Sequence, residues 1–113
     1  MLKPISIPGL FITGTDTGIG KTLVAAAIAR WFHLRGHRVG VSKPIASGCV
    51  KRREGLVSED AEYLAHAADS PHSLEIICPQ TFESPLASAE AAAMAKASVD
   101  GSAVQRSMDT IAR

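Results

Sequence analysis

A glycine-rich segment between an apolar run and a helix-forming run constrains this chain more than any other feature. Residues 14–22 read GTDTGIGKT and follow a short apolar run, LFIT, at residues 10–13. A buried strand, a glycine-rich turn and a helix in this order are typical of a phosphate-binding loop, because free backbone N–H groups at a helix N-terminus attract anions. Glycine at positions 18 and 20 lets a polyphosphate approach the backbone closely.

The two residues after the turn carry side chains that suit nucleotide binding. Lys21 can reach the β- and γ-phosphates, and the hydroxyl of Thr22 can bind Mg²⁺. The strict loop pattern has glycine five positions before Gly20, where this chain has Thr15. The alternative is a glycine turn that begins an ordinary helix, but Gly-Lys-Thr directly after an apolar strand favours phosphate binding.

Apolar residues in the next segment recur at helical spacing and predict a helix over residues 21–34. Val24, Ile28 and Trp31 form the apolar stripe of that helix. Gly36 stands where the glycine that ends a helix belongs. The stripe predicts which face of the helix is buried.

A second strand is predicted at residues 38–42. Lys43-Pro44 ends it, because proline cannot donate a hydrogen bond to a neighbouring strand. With the strand at residues 10–13 and the helix between them, this segment completes a right-handed βαβ unit whose two strands are parallel.

The chain beyond the second strand carries weaker signals. They predict a loop at 45–57 with a solvated basic run at 51–53, a helix at 59–68 capped by Ser58, a short strand at 76–78, an alanine-rich helix at 86–96 and a last helix after Asp100. Two firm strands and one weak strand are too few for a complete doubly wound sheet. The expected fold is therefore α/β, a P-loop NTPase-like, doubly wound and mostly parallel sheet that is incomplete within residues 1–113.

Composition excludes several classes of function. Twelve basic and 11 acidic residues give a net charge of +1, which provides no electrostatic footprint for nucleic acid or for a charged membrane surface. No apolar run approaches the roughly 20 residues of a membrane-spanning helix, and no signal peptide is evident. The two cysteines, Cys49 and Cys78, lack the spacing of metal ligands. A cytoplasmic protein with reduced thiols is expected.

Two further motifs follow the phosphate-loop pattern. Residues 43–48 read KPIASG, and residues 55–61 read GLVSEDA. Together with GTDTGIGKT, these segments resemble the dethiobiotin synthetase family, the ATP-dependent enzymes of biotin synthesis. Residues 79–87 are similar to it more weakly, since Ser88-Ala89 stands where the family has Pro-His. Members of the family are longer, so the resemblance implies that residues 1–113 are the N-terminal part of one such domain.

The resemblance implies a ligase that closes a ureido ring from 7,8-diaminononanoate and CO₂ through a phosphorylated carbamate. ATP is the co-substrate, Mg²⁺ the cofactor, and the complete protein a homodimer. Lys43 is the implied catalytic lysine, expected at the carboxyl edge of the sheet because it ends a strand. The resemblance assigns ATP binding to Gly18, Ile19, Gly20, Lys21, Thr22, Leu23 and Asp60, Mg²⁺ to Thr22 and Asp60, and substrate contact to Ser47.

Other interpretations of the same residues stay open. A small-molecule kinase could use the same loop, and a non-catalytic nucleotide-binding module or an inert fragment belongs to a different class. Without the resemblance, Lys43 would be an ordinary lysine at a strand end. Asp60 would be an acidic residue in the first turn of a helix, where the helix dipole favours it.

Overall fold

The computed structural model describes residues 7–12, 20–83 and 100–113, in which helices and two small sheets are the regular elements. In chain order, the elements are α1 (Gly20–Leu34), β1 (Ile45–Ala46), β2 (Val50–Arg52), β3 (Gly55–Val57), α2 (Glu59–Ala68), α3 (Leu74–Ile77), β4 (Gln80–Thr81) and α4 (Gly101–Ala112). The fold is α/β with a small parallel sheet, as the sequence predicts. None of the helices described is long and apolar enough to cross a membrane.

Helix α1 begins and ends close to the predicted positions. Gly36 has a φ of 85°, and its N–H donates to the carbonyl of His33 at 3.0 Å. The N–H of His37 donates to the carbonyl of Phe32 at 3.2 Å. This pair of bonds is the Schellman motif, which satisfies carbonyls that the last helical turn leaves free.

The buried face of α1 differs from the predicted stripe. Val24 and Trp31 are 53% and 50% exposed, whereas Ala26 and Ala29 are buried. The Trp31 ring packs instead under the guanidinium of Arg35, 3.6 Å from the ring centroid. Small side chains on α1 allow a close approach of the neighbouring helix, so alanine rather than the larger residues faces the core.

Helix α2 packs against α1 through two alanines and one leucine. Ala61, Leu64 and Ala68 belong to the same buried cluster as the α1 alanines. Asp69 ends α2 in the left-handed region with a φ of 49°. Its carboxylate lies 3.9 Å from Nε2 of His33, which joins the C-terminal ends of the two helices.

The parallel pair of the structure is β1 with β4. Ile45 is opposite Gln80, and Ala46 is opposite Thr81. The hydrogen bonding continues beyond the strands themselves. The N–H of Lys43 donates to the carbonyl of Ile77 at 2.9 Å, and the N–H of Cys49 donates to the carbonyl of Phe82 at 3.0 Å.

The strands predicted from the apolar runs are wrong in the described residues. Residues 10–12 are not a strand, and Phe11 is 90% exposed; Thr13 lies outside the described residues. Residues 38–42 form no regular element and pair with no other described segment. Residues 76 and 77 lie in α3, where the N–H of Ile77 donates to Ser73 and not to a neighbouring strand.

The predicted loop at 45–57 is largely a hairpin. Strands β2 and β3 are antiparallel, with Val50 opposite Val57 and Arg52 opposite Gly55. Gly55 has a φ of 118°, a conformation that other residues rarely adopt. Part of the basic run forms an ion pair and is not merely solvated, since Nη1 of Arg52 lies 2.5 Å from Oε2 of Glu62.

Helix α4 confirms the predicted last helix. The carboxylate of Asp100 accepts from the N–H groups of Ser102 and Ala103, which caps the helix. The buried amide of Gln80 donates to the carbonyl of Asp100 at 2.5 Å and accepts from its N–H at 3.0 Å. These bonds hold the start of α4 against β4. The predicted helix at 86–96 lies outside the described residues.

Candidate functional site

Lys43 and Asp60 form the centre of the candidate site. Nζ of Lys43 lies 3.3 Å from Oδ2 of Asp60, and their side chains are 32% and 44% exposed. The two residues are 17 positions apart and belong to different motifs of the sequence. A basic and an acidic group that meet at a partly open surface can bind groups of opposite charge from solution.

The backbone around Lys43 is held by the parallel pair. The N–H of Lys43 donates to Ile77, and the carbonyl of Pro44 accepts from the N–H of Gln80 at 3.3 Å. Lys43 therefore lies two residues before β1 and does not end a strand at the carboxyl edge of the sheet. The expectation for its position is wrong because residues 38–42 form no strand, while the pairing begins at Lys43 itself.

Asp60 is positioned by the capped start of α2. The buried hydroxyl of Ser58 accepts from the N–H of Ala61 at 3.1 Å, as the sequence predicts. Glu59, Asp60 and Glu62 lie in the first turn, where the helix dipole stabilises negative charge. The cap determines the direction in which this turn begins, and Asp60 extends from it towards Lys43.

Ser47 directly follows β1 in the chain, whereas Lys43 precedes that strand. It is exposed, and the next residue, Gly48, has a φ of 66°. Among the described residues, no hydrogen bond joins Ser47 to Lys43 or Asp60. The structure brings Lys43 and Asp60 together and leaves Ser47 as a separate exposed hydroxyl.

The buried thiols of Cys49 and Cys78 lie near this site. Sγ of Cys49 donates to the carbonyl of Ala46 at 3.5 Å, and Sγ of Cys78 to that of Gln80 at 3.6 Å. Burial raises the pKa of Cys49 above its ordinary value, against the opposing effects of the Phe82 backbone hydrogen bond and of the Lys43 charge. Burial, helped by the neighbouring Cys49, raises the pKa of Cys78 to about 11. Protonated thiols of this kind are poor nucleophiles.

The predicted nucleotide-binding stretch is described only in part. Gly18 and Ile19 lie outside the described residues. Gly20 is the first residue of α1, and Lys21 and Thr22 are half-buried in its first turn. Leu23 is 52% exposed. These residues occupy the start of a different helix from the one that carries Asp60.

Comparison with known proteins gives the family. The family model described as an AAA domain matches residues 8–112. The chain belongs to the AAA domain family. A match over nearly the whole chain includes the phosphate-loop pattern, the Lys43 motif and the Asp60 motif.

Curated relatives of this AAA-domain chain are named ATP-dependent dethiobiotin synthetase BioD. The protein from Thermodesulfovibrio yellowstonii is 39% identical over 103 residues, which are 91% of this chain and 43% of the relative. The protein from Anaeromyxobacter dehalogenans strain 2CP-1 is 49% identical over 84 residues, 74% of this chain and 36% of the relative. The chain thus spans less than half the length of these relatives. The resemblance to dethiobiotin synthetases is confirmed.

The β2–β3 hairpin was missed by the sequence interpretation. Its turn end is joined to α2 by Arg52–Glu62, and Nζ of Lys51 lies 3.4 Å from Oε2 of Glu83, beyond β4. A polar turn that ends in Gly55 between two short apolar segments was the available signal. The hairpin connects the exposed Ser47 segment to the start of α2, so it lies between two of the predicted site residues in the chain.

An open cavity of about 350 Å³ lies between α1 and α2. Its lining includes Leu23, Arg30, Tyr63 and His66 together with alanines of both helices. Leu23 is the only predicted site residue in this lining. The cavity and the Lys43–Asp60 contact are therefore separate features of the described residues.

Proposed function

We propose that this chain is the nucleotide-binding part of an ATP-dependent ligase that closes the ureido ring of dethiobiotin. The observation that carries the proposal is the contact between Lys43 and Asp60, whose Nζ and Oδ2 atoms lie 3.3 Å apart. Each residue belongs to one of the motifs that resemble those of dethiobiotin synthetases. The names of the curated relatives support the same reaction. The substrates in this proposal are 7,8-diaminononanoate, CO₂ and ATP.

The proposed fold of the whole domain is a doubly wound P-loop sheet. Residues 1–113 form one part of it. The parallel β1–β4 pair and the helix that begins at Gly20 support this arrangement. A homodimer in the cytoplasm, without nucleic acid or membrane partners, completes the proposal. The net charge of +1 supports only the part that concerns nucleic acid and charged membranes.

The chemistry of the reaction determines what the chain must supply. One amine of the substrate adds to CO₂ and loses a proton, which gives a carbamate. A carbamate oxygen then attacks the γ-phosphorus of ATP, and ADP leaves. The second amine attacks the carbamate carbon and loses a proton, phosphate leaves with the C–O bonding pair, and the ring closes. The carbamate and the γ-phosphate of ATP are both anions, and the reaction brings them together. Cationic side chains are therefore required.

Lys21 and Lys43 are the proposed cationic groups. Lys21, in the first turn of α1, binds the β- and γ-phosphates together with the backbone of the stretch that runs from Gly18 and Ile19 to Leu23. Lys43 contacts the carbamate and the phosphoryl group that is transferred to it. Ser47 contributes a hydroxyl to the diamine substrate. Charges held in place before the reaction stabilise a transition state without a reorganisation cost.

The donor set fits Mg²⁺. Thr22 and Asp60 offer a hydroxyl and a carboxylate, which are the hard oxygen ligands that this ion prefers. Within the described residues, no group of three or more histidine, cysteine or acidic side chains is placed so that it could hold a metal ion. Mg²⁺ commonly uses one or two protein oxygens together with water and substrate phosphates. When bound, it would neutralise part of the charge on the phosphate oxygens.

Nucleotide turnover tests the proposal directly. We expect ADP release when the complete protein receives diaminononanoate, bicarbonate and MgATP together, and a decrease of at least about 10² in Lys21→Ala, because a preorganised charge is lost. Lys51→Ala is the matched control, since Lys51 is 74% exposed and pairs with Glu83. An unchanged ATP affinity in Lys21→Ala would contradict the loop assignment.

A non-catalytic nucleotide-binding module is the second candidate. It is favoured by one observation, that the chain spans 36–43% of the length of the relatives. ATP binding without ADP release under the same conditions would support this candidate over the ligase.

A further inference from the structure

The contact between Lys43 and Asp60 joins two side chains that have different proposed binding partners. Lys43 is directed to the transferred phosphoryl group and Asp60 to Mg²⁺, yet Nζ and Oδ2 lie 3.3 Å apart. A carboxylate that binds a divalent cation attracts a nearby ammonium less, and the two cations repel each other. Binding of metal and nucleotide at these two side chains would therefore weaken the contact.

The geometry allows the contact to open by motion of one side chain. The backbone of Lys43 is held by its hydrogen bond to Ile77 at 2.9 Å, and Asp60 by the first turn that Ser58 caps. The Lys43 side chain has four methylene groups and is one-third exposed. Rotation about its own bonds can move the ammonium while both backbones stay in place.

We propose that Asp60 is the resting counterion of Lys43 and that binding of the metal-nucleotide exchanges these partners. Without metal, Asp60 keeps the ammonium on itself and away from phosphate. With metal, the Asp60 carboxylate turns to the cation, and Lys43 becomes available to the phosphoryl group. Asp60 thus positions Lys43, an inference that rests on the proposed function.

A double-mutant cycle read by ATP binding tests the exchange. The full chain, Asp60→Asn, Lys43→Met and the double variant are titrated with ATP, once in excess EDTA and once in MgCl₂. We expect Asp60→Asn to tighten metal-free ATP binding about two- to fivefold, the range of partly exposed ion pairs. The same variant should weaken MgATP binding by at least about tenfold, as loss of a metal contact does.

The Lys43→Met background separates the exchange from simple repulsion. If Asp60 acts by holding Lys43, the gain in metal-free affinity disappears when Lys43 is methionine. A gain of equal size in that background would overturn the inference, because the carboxylate would then repel phosphate on its own. Glu62→Gln is the matched control, since it removes one paired carboxylate from the same turn and should not change either affinity.

A measurement on the unsubstituted chain covers the case in which a variant does not fold. In protein labelled with ¹⁵N-lysine, the Nζ resonance of Lys43 should move on addition of MgATP and much less on addition of metal-free ATP. Equal movement with both would overturn the exchange while leaving nucleotide binding intact. Absence of ATP binding with and without Mg²⁺ would overturn the proposed function, and this inference with it.

Discussion

Gly40 packs directly against Ile111 of α4. A Cβ atom built on Gly40 would lie 2.5 Å from Cγ2 of Ile111 and 3.4 Å from its carbonyl oxygen. Both atoms are fixed close to the helix backbone, so α4 itself would have to move to admit a side chain. Glycine at this position lets the irregular segment at residues 38–42 meet the last helix.

Gly40→Ala should therefore destabilise the chain. We expect a loss of about 1–3 kcal/mol in the free energy of unfolding, the usual cost of overpacking. Urea unfolding followed by circular dichroism measures it. Gly101→Ala is the control, because a Cβ there meets nothing within 4 Å and alanine favours a helix. Equal stability of the two variants would show that α4 does not pack on this segment.

The serine caps of α2 and α3 form a matched pair for a second prediction. Ser58 accepts from the N–H of Ala61, whereas Ser73 occupies the same position before α3 without a side-chain cap bond. Ser58→Ala should lower the free energy of unfolding by about 1 kcal/mol, and Ser73→Ala should change it much less. Thermal unfolding distinguishes them. Equal losses would mean that the Ser58 cap does not stabilise the turn that carries Asp60.

The Cys78 thiol should be protected from alkylation. Its pKa of about 11 lies above the ordinary value of 9.0, because the side chain is buried and Cys49 is near. At pH 8 the thiolate fraction is about a hundredfold smaller than in the unfolded chain. Iodoacetamide labelling, read by mass spectrometry of the Cys78 peptide, should therefore be slow in the folded chain and fast in urea. Equal rates would show that Cys78 is not buried.

The same shift predicts how stability depends on pH. The folded pKa is raised, so the unfolded chain releases the Cys78 proton first, and the stabilising contribution is complete below pH 9.0. That contribution is lost as the pH rises from 9.0 to about 11. Cys78→Ala should reduce this loss, measured as the difference in unfolding free energy between the two pH values. An unchanged pH dependence in the variant would contradict the assignment to Cys78.

Lys43→Ala should separate turnover from nucleotide affinity. The lysine is one-third exposed and contributes little packing, so the fold should persist. If Lys43 acts on the transferred phosphoryl group, turnover of the complete protein should fall by at least about 10², while MgATP affinity changes much less. Single-turnover kinetics and calorimetry measure the two quantities. Equal losses in both would make Lys43 a second phosphate anchor.

Helices and their ends were determined by the sequence itself. The helix starting at Gly20, the cap at Ser58, the left-handed turn at Gly36 and the cap at Asp100 all depend on residues within a few positions of one another. Helical hydrogen bonds and caps join such neighbours, so local pattern contains the information. Family membership was determined in the same way, by short motifs whose order can be read along the chain.

Strands and the candidate site were decided by tertiary structure. Residues 38–42 carry a strand pattern but pair with no described segment, whereas Ile45–Ala46 pair with Gln80–Thr81 across 35 positions. A strand exists only with a hydrogen-bonded neighbour, which no local pattern specifies. The motifs name Lys43 and Asp60, but their contact depends on the pairing that holds one backbone and the helix cap that directs the other.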